Sequence, residues 1–318
     1  MNDYSRDRQL DMLRGLAVVG MFFYSVIASL ARQLPPVLEH NIPGKLRIGD
    51  FVLSLFLFSS GMSLAILRNR YDSLWAVSLW RSVGRRLGMM LFASAFITPF
   101  STGTFGGMDE VMLNATLTIP TLLLARGSVI ITAGLFTCLS ALYYALPQFG
   151  ITVIQSNVYL GGYQGAVFFL PVLTAGATLR NSWRDRARRH AIMWGVVSIA
   201  LYALSGTPDK LVLTPSYIAL SCFVSTSILW ALGYFALVNN VIEYFGRYSL
   251  RMWCLMFVLI APARLYAETS LHAFQLTFQA WQAVIIAIAW MSLCYALSKG
   301  WDALGTMEKA VRASRKSR

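Results

Sequence analysis

The sequence has little charge, little histidine and little cysteine. Charged residues make up 13% of its 318 positions, and only 14 residues are acidic. Soluble globular proteins carry about 25% charged residues, so this chain cannot dress a water-facing surface of ordinary density. Four cysteines, Cys138, Cys222, Cys254 and Cys294, all lie in apolar runs. With no Cys-x-x-Cys pair, neither a disulfide framework nor a zinc site is expected, and no metal is called for. The chain also lacks a serine-centred nucleophile elbow, a Walker loop and the glycine pattern of a dinucleotide fold. No internal repeat is visible. No cleavable signal peptide is expected, because the first apolar run opens with Asp11 and Arg14 and has no small-residue cleavage site. It reads as a retained helix.

What the chain has in quantity is apolar surface. Hydrophobic residues reach 57%, and the mean hydropathy is +0.58. Runs long enough to cross a hydrocarbon core recur along the whole sequence. The expectation is an all-α polytopic membrane protein, a bundle of about ten helices near 10–30, 51–67, 77–100, 111–124, 128–146, 166–179, 191–204, 213–238, 250–266 and 274–297. The fourth of these is short and marginal.

The net charge of +13 would suggest nucleic acid in a soluble protein. Here the cytoplasmic excess of Lys and Arg accounts for it, and no nucleic-acid partner is expected. With the N-terminus inside, 22 of the 27 basic residues fall on the cytoplasmic side. Only Arg32, Lys45, Arg47, Lys210 and Arg264 fall outside. That skew predicts an N-in, C-in topology and an even number of spans. The loops are short, so residues 1–318 form one transmembrane domain, with 302–318 as a basic cytoplasmic tail. The expected location is a bacterial cytoplasmic (inner) membrane, with lipid as the obligatory partner and a homo-oligomer open.

The chemistry-bearing residues gather in three places. In Glu39–Gly61, His40 precedes an apolar run whose mouth carries Asp50. A carboxylate there is stabilised by the helix dipole and can orient an imidazole acting as general base. The plainer readings are a solvated loop histidine and an ordinary helix cap. Asp11 and Arg14 share a helix face at the start of the first span, either as a self-neutralising pair or as a seat for an anionic ligand. Asp209-Lys210 leads into Thr214-Pro215-Ser216-Tyr217, with Thr214 placed to cap a helix that begins at proline. Lys210 either snorkels or stabilises a developing oxyanion. Glu268 and His272 are weaker candidates, and His190 reads as structural. The Gly-rich connections 101–110 and 147–165 read as connectors that could also cap a cavity.

These stretches together resemble one family. LDMLRGLAVVGMFF resembles the LD-x-x-RG-[LI]-A opening of heparan-α-glucosaminide N-acetyltransferase and its bacterial relatives. His40 through GDFVLSLFLFSSGMSL is similar to its H-x9-DLVFP-x-F-x-F-x-x-G segment. KLVLTPSYIAL resembles its K-x-L-W-T-P-S-[YF]-x-L segment, and YFGRYSL its FGRNSL-type turn. The resemblance implies transfer of an acetyl or similar acyl group from cytoplasmic acetyl-CoA or another acyl-CoA to an acceptor at the outer face. A cell-envelope glycan, a glycolipid or a secreted metabolite is the expected acceptor. It implies that His40 is the catalytic base or acyl carrier, with Asp50 orienting it. Asp11, Arg14 and Ser25 fall to the acyl-CoA side, and Lys210, Thr214 and Ser216 to the acceptor cavity. The chain departs from the pattern at Ser25, where the family often has asparagine, at Pro43 in place of tryptophan, and at Ser54 in place of proline. The competing functions are a transporter or exporter of a small envelope metabolite and a non-catalytic membrane partner.

Overall fold

The computed structural model describes residues 7–30, 45–71, 73–102, 110–126, 128–149, 165–179, 183–258 and 279–316. His40, Pro43, Glu268, His272 and most of both Gly-rich connections lie outside them. The described helices are α1 (Arg8–Leu30), α2 (Val52–Asn69), α3 (Val77–Thr102), α4 (Glu110–Leu124) and α5 (Val129–Ala145). Then come α6 (Leu170–Leu179), α7 (Trp183–Ser205), α8 (Pro215–Tyr234) and α9 (Asn240–Arg247). Last are α10 (Ser249–Val258) and α11 (Ala280–Lys316).

Among the described residues, five segments are long and apolar enough to cross a membrane: those of α1, α2, α5, α8 and α11. The apolar helices α4, α6 and α10 are shorter than the ~20 residues a full crossing takes. The lengths of α3 and α7, 26 and 23 residues, suffice. Each, however, carries a run of arginines, Arg81, Arg85 and Arg86 in α3 and Arg186, Arg188 and Arg189 in α7. The chain is an all-α membrane protein.

α7 and α11 both extend beyond their expected bounds. α7 begins at Trp183, well before its apolar run, where the Trp183 Nε1–H donates to Asp7 Oδ2 at 2.6 Å. α11 is continuous for 37 residues, about 55 Å at 1.5 Å per residue against a hydrocarbon core of about 30 Å. The stretch expected as a tail from 302 therefore begins as the continuation of a helix, which runs to Lys316.

Backbone contact between helices sets the frame. α1 crosses α9 at a reciprocal glycine pair. A Cβ on Gly15 would lie 1.9 Å from the Ile242 carbonyl oxygen, and one on Gly246 would lie 1.8 Å from that of Asp11. α2 crosses α6 in the same way, with Gly61 against Leu173 O at 1.9 Å and Gly176 against Phe58 O at 2.1 Å. Lipid tails are as apolar as Leu, so close backbone packing takes over the role that hydrophobic burial plays in water. Around these crossings Leu57, Phe58, Met62, Leu173 and Tyr217 form the main core. Large apolar side chains such as Ile130, Ile199, Leu204 and Trp301 point outward, as lipid-facing positions do.

Candidate functional site

Two buried polar clusters occupy opposite ends of the antiparallel α1–α2 pair. The first forms just ahead of α2. A 3-10 turn, Ile48–Phe51, leads into that helix. Asp50 closes the turn, its Oδ2 accepting the Arg47 N–H at 2.8 Å. The carboxylate is 1% exposed, and its Oδ1 lies 3.6 Å from Lys210 Nζ. The lysine side chain is 10% exposed, so it faces the acid rather than snorkelling to an interface. Asp50 is thus not the N-cap of α2 but the third residue of the turn ahead of it, where it accepts the N–H of the turn's own N-cap, Arg47, and adds an ion pair.

The loop that carries Lys210 is fixed by its own hydrogen bonds. Asp209 Oδ1 accepts the Leu211 N–H at 2.8 Å, and the Thr214 N–H donates to the Asp209 carbonyl at 3.1 Å. The Asp209 N–H donates to Thr214 Oγ1 at 2.9 Å. Thr214 caps α8 by accepting the Tyr217 N–H at 3.3 Å, with Pro215 in the first turn. Leu213 closes the loop at φ 52, in the left-handed region that costs a bulky residue about 1–3 kcal/mol. Its side chain is buried, and that burial offsets the strain. Ser216 is buried and hydrogen-bonds Thr214 Oγ1 at 3.1 Å.

Tyr217 ties the two halves of this cluster together. Its hydroxyl donates to the Asp50 carbonyl at 2.8 Å and lies 3.2 Å from Ser54 Oγ. Ser54 donates in turn to Ser221 Oγ at 3.0 Å. Ser54 stands where the resembled segment has proline, and here its hydroxyl completes a buried network joining α2 to α8.

The second cluster lies at the start of α1. Arg14 Nη1 donates to Asp11 Oδ1 at 3.2 Å and to the Gly246 carbonyl at 3.3 Å. Its Nη2 donates to Ser63 Oγ on α2. A cavity of about 270 Å³ opens beside it, lined by residues that include Arg14, Phe56, Ser60, Arg86, Asn114 and Trp253. Asn114 Nδ2 donates to Ser60 Oγ at 3.0 Å across this wall. From Asp50 to Ser63 the chain rises about 20 Å, so the clusters lie most of a hydrocarbon thickness apart.

The predicted residues therefore sort by geometry. Asp50, Lys210, Thr214 and Ser216 come together at one end, and Asp11 and Arg14 at the other. Ser25, grouped by resemblance with Asp11 and Arg14, sits eleven residues beyond Arg14 along α1, about 16 Å away. It belongs to the Asp50 end, where its neighbour Tyr24 packs on Gly49. Lys210, Thr214 and Ser216 do not line the cavity beside Arg14. His190 is buried and enters none of these contacts. Sequence reading named Tyr217 in its cluster without a role, and passed over Asn114 and, as a cavity residue, Arg86. A charge or amide inside an apolar run is the signal that could have found the last two. Among the described residues, no group of three His, Cys, Asp or Glu is placed to hold a metal.

Comparison with known proteins bears on the half of the chain that carries most of this geometry. Residues 6–160 match the family described as heparan-alpha-glucosaminide N-acetyltransferase, catalytic. Over this stretch, just under half of its length, the chain is similar to that family. No curated protein matches it. The matched stretch includes Asp11, Arg14, Ser25, His40, Asp50, Arg86 and Asn114. The rest of the chain supplies Lys210, Thr214, Ser216 and Tyr217, and the contacts to Asp50 carry the polar cluster across that boundary.

Proposed function

We propose that this chain is a transmembrane acyltransferase, moving an acetyl or similar acyl group from acyl-CoA to a hydroxyl or amine acceptor across the membrane. The carrying observation is the pair of buried polar clusters at the two ends of α1 and α2, within or against the family-matched stretch. Acyl-CoA is received at the Asp11–Arg14 end, and the acceptor, a glycan, glycolipid or small metabolite, at the Asp50–Lys210 end. His40 serves as the base or acyl carrier. Asp50 positions it, and Lys210 balances the charge that develops on the acceptor side. Thr214 and Ser216 fix the loop that carries Lys210, and Ser25 stands at the Asp50 end of α1.

The reading takes residues 1–318 as one domain with ten spans, N-in and C-in, and the basic segment 302–318 inside, in a bacterial inner membrane. The cross-chain polar contacts support this arrangement. Asp7 with Trp183, Arg8 with Glu243, Tyr71 with Arg126 and Arg251 with Asp302 each join segments assigned to the inside. Asp50 with Lys210 joins two assigned to the outside.

The test is the full chain in proteoliposomes, with radiolabelled acetyl-CoA on one side and glucosamine on the other. Label should appear on the amine and disappear in His40→Ala. Uptake of glucosamine without label transfer, unchanged in His40→Ala, would replace the enzyme reading with a transporter.

A further inference from the structure

The cavity at the Arg14 end holds more positive charge and more unused hydrogen-bonding capacity than its protein partners satisfy. Two guanidinium groups face it, Arg14 from α1 and Arg86 from α3. Asp11 neutralises the first at 3.2 Å. Among the described residues, no carboxylate lies within ion-pair distance of Arg86, and the charge on Arg14 acts on it unfavourably. Like charges facing one apolar chamber repel strongly, because little water screens them. The same wall also contains two buried polar atoms without a hydrogen-bond partner among the described residues, Asn114 Oδ1 and Trp253 Nε1. Buried polar groups in native proteins are almost always satisfied. Val18, Phe56 and Val111 complete the wall with apolar surface.

We propose that this cavity binds a phosphate-bearing amphiphile. Its phosphate oxygens lie between Arg14 and Arg86, and its apolar stem runs along Val18, Phe56 and Val111. Guanidinium groups match phosphate oxygens in pairs, and an anion placed between two of them turns their repulsion into attraction. Trp253 Nε1–H supplies a further donor. A hydroxyl or amide N–H on the ligand reaches Asn114 Oδ1. Two sources share this chemistry: the phosphates of coenzyme A and a phospholipid headgroup. The first rests on the acyltransferase reading and assigns Arg86 to it, whereas the second stands without it.

The experiment uses the full chain in two nanodisc compositions, phosphatidylglycerol and a phosphate-free diglycosyl diacylglycerol. Native mass spectrometry counts retained lipid in the first. In the second, calorimetry follows titration with coenzyme A or with pantetheine, its phosphate-free fragment. The expected result is either coenzyme A binding that pantetheine does not reproduce, or one phosphatidylglycerol retained per chain. Arg86→Gln should weaken whichever ligand binds by about 10- to 100-fold, the loss of one charged hydrogen-bonding group. Arg86→Lys keeps the charge and should recover most of that loss. Trp253→Phe removes the indole donor alone, and should cost about threefold to tenfold, which keeps the test open if Arg86→Gln does not fold. Equal binding of coenzyme A and pantetheine with no retained phospholipid overturns the proposal, as does wild-type binding in all three variants. Phosphate binding without acyl transfer would defeat only the acyltransferase reading. Acyl transfer with no dependence on Arg86 or Trp253 in binding would defeat only this one.

Discussion

Removing one member of the Asp50–Lys210 pair should cost far more than removing both. The two charges lie 3.6 Å apart, with the acid 1% and the lysine 10% exposed. At that distance their attraction is about 4–5 kcal/mol at an effective dielectric of ~20. Most of it offsets the cost of taking both ions out of water. Asp50→Asn keeps an acceptor for the Arg47 N–H but strands the ammonium, and Lys210→Met keeps the stem but strands the carboxylate. Each single variant should lose about 3–5 kcal/mol, whereas the double variant, with no buried charge left, should lose only about 0–2 kcal/mol. The coupling expected from the double-mutant cycle is therefore several kcal/mol, with the double variant less damaged than the sum of the singles. Unfolding in mixed detergent–SDS micelles, followed by the fluorescence of the nine tryptophans, measures it. Additive losses would refute the pair as a coupled unit. The double variant also separates two roles. If Asp50 positions His40, stability returns in Asp50→Asn/Lys210→Met and acyl transfer does not.

Gly246→Ala should destabilise the chain by about 1–3 kcal/mol or more, because its Cβ would lie 1.8 Å from the Asp11 carbonyl oxygen. Gly134→Ala, with nothing within 4 Å, should be neutral or stabilising by up to about 1 kcal/mol, and the same unfolding assay compares them. Tyr217→Phe removes the donor to the Asp50 carbonyl and the partner of Ser54. It should cost about 1–3 kcal/mol and lower acyl-transfer kcat more than acyl-CoA KM, a split that a purely structural tyrosine would not produce.

Most helices were legible because lipid imposes one rule on every span. Apolar runs must be helical, since no water remains to satisfy a bare backbone. The starts of α1, α3 and α8 fall within about two residues of expectation for that reason, and Thr214-Pro215 marked its cap outright. α9 was not legible. It has eight residues, too few to show a helical period, and it is held by contact with α1 and by Asn239, whose Oδ1 accepts the Val241 and Ile242 N–H groups at 3.0 and 3.1 Å. The motif glycines Gly15 and Gly246 carried no assigned role in the sequence. In the fold they are first of all the point where α1 and α9 touch. The separation of Ser25 from Arg14 was implicit in the helical rise. The pairing of Asp50 with Lys210 was not, because sequence periodicity gives a residue's face and not the partner that a distant loop brings to it.

The packing also says where the Arg14 cavity is weakest. Two of its walls belong to helices locked by backbone contact: α1 is held to α9 through Gly15 and Gly246, and α2 to α6 through Gly61 and Gly176. Moving any of them breaks a crossing that admits no slack, and would carry Asp11, Arg14 or Ser63 with it. α3 is different. It packs chiefly on α4, its Gly84 and Gly88 have nothing within 4 Å, and Met89, Leu91 and Phe92 are exposed along its outer side. Displacing α3 would therefore widen the cavity without breaking either glycine crossing. Arg86 rides on this helix, so of the two guanidinium groups at the cavity the one with no carboxylate partner among the described residues sits on the wall outside both glycine crossings. An anion held between Arg14 and Arg86 would join that wall to the rigid α1–α2 pair, coupling occupancy of the cavity to closure of its loosest side.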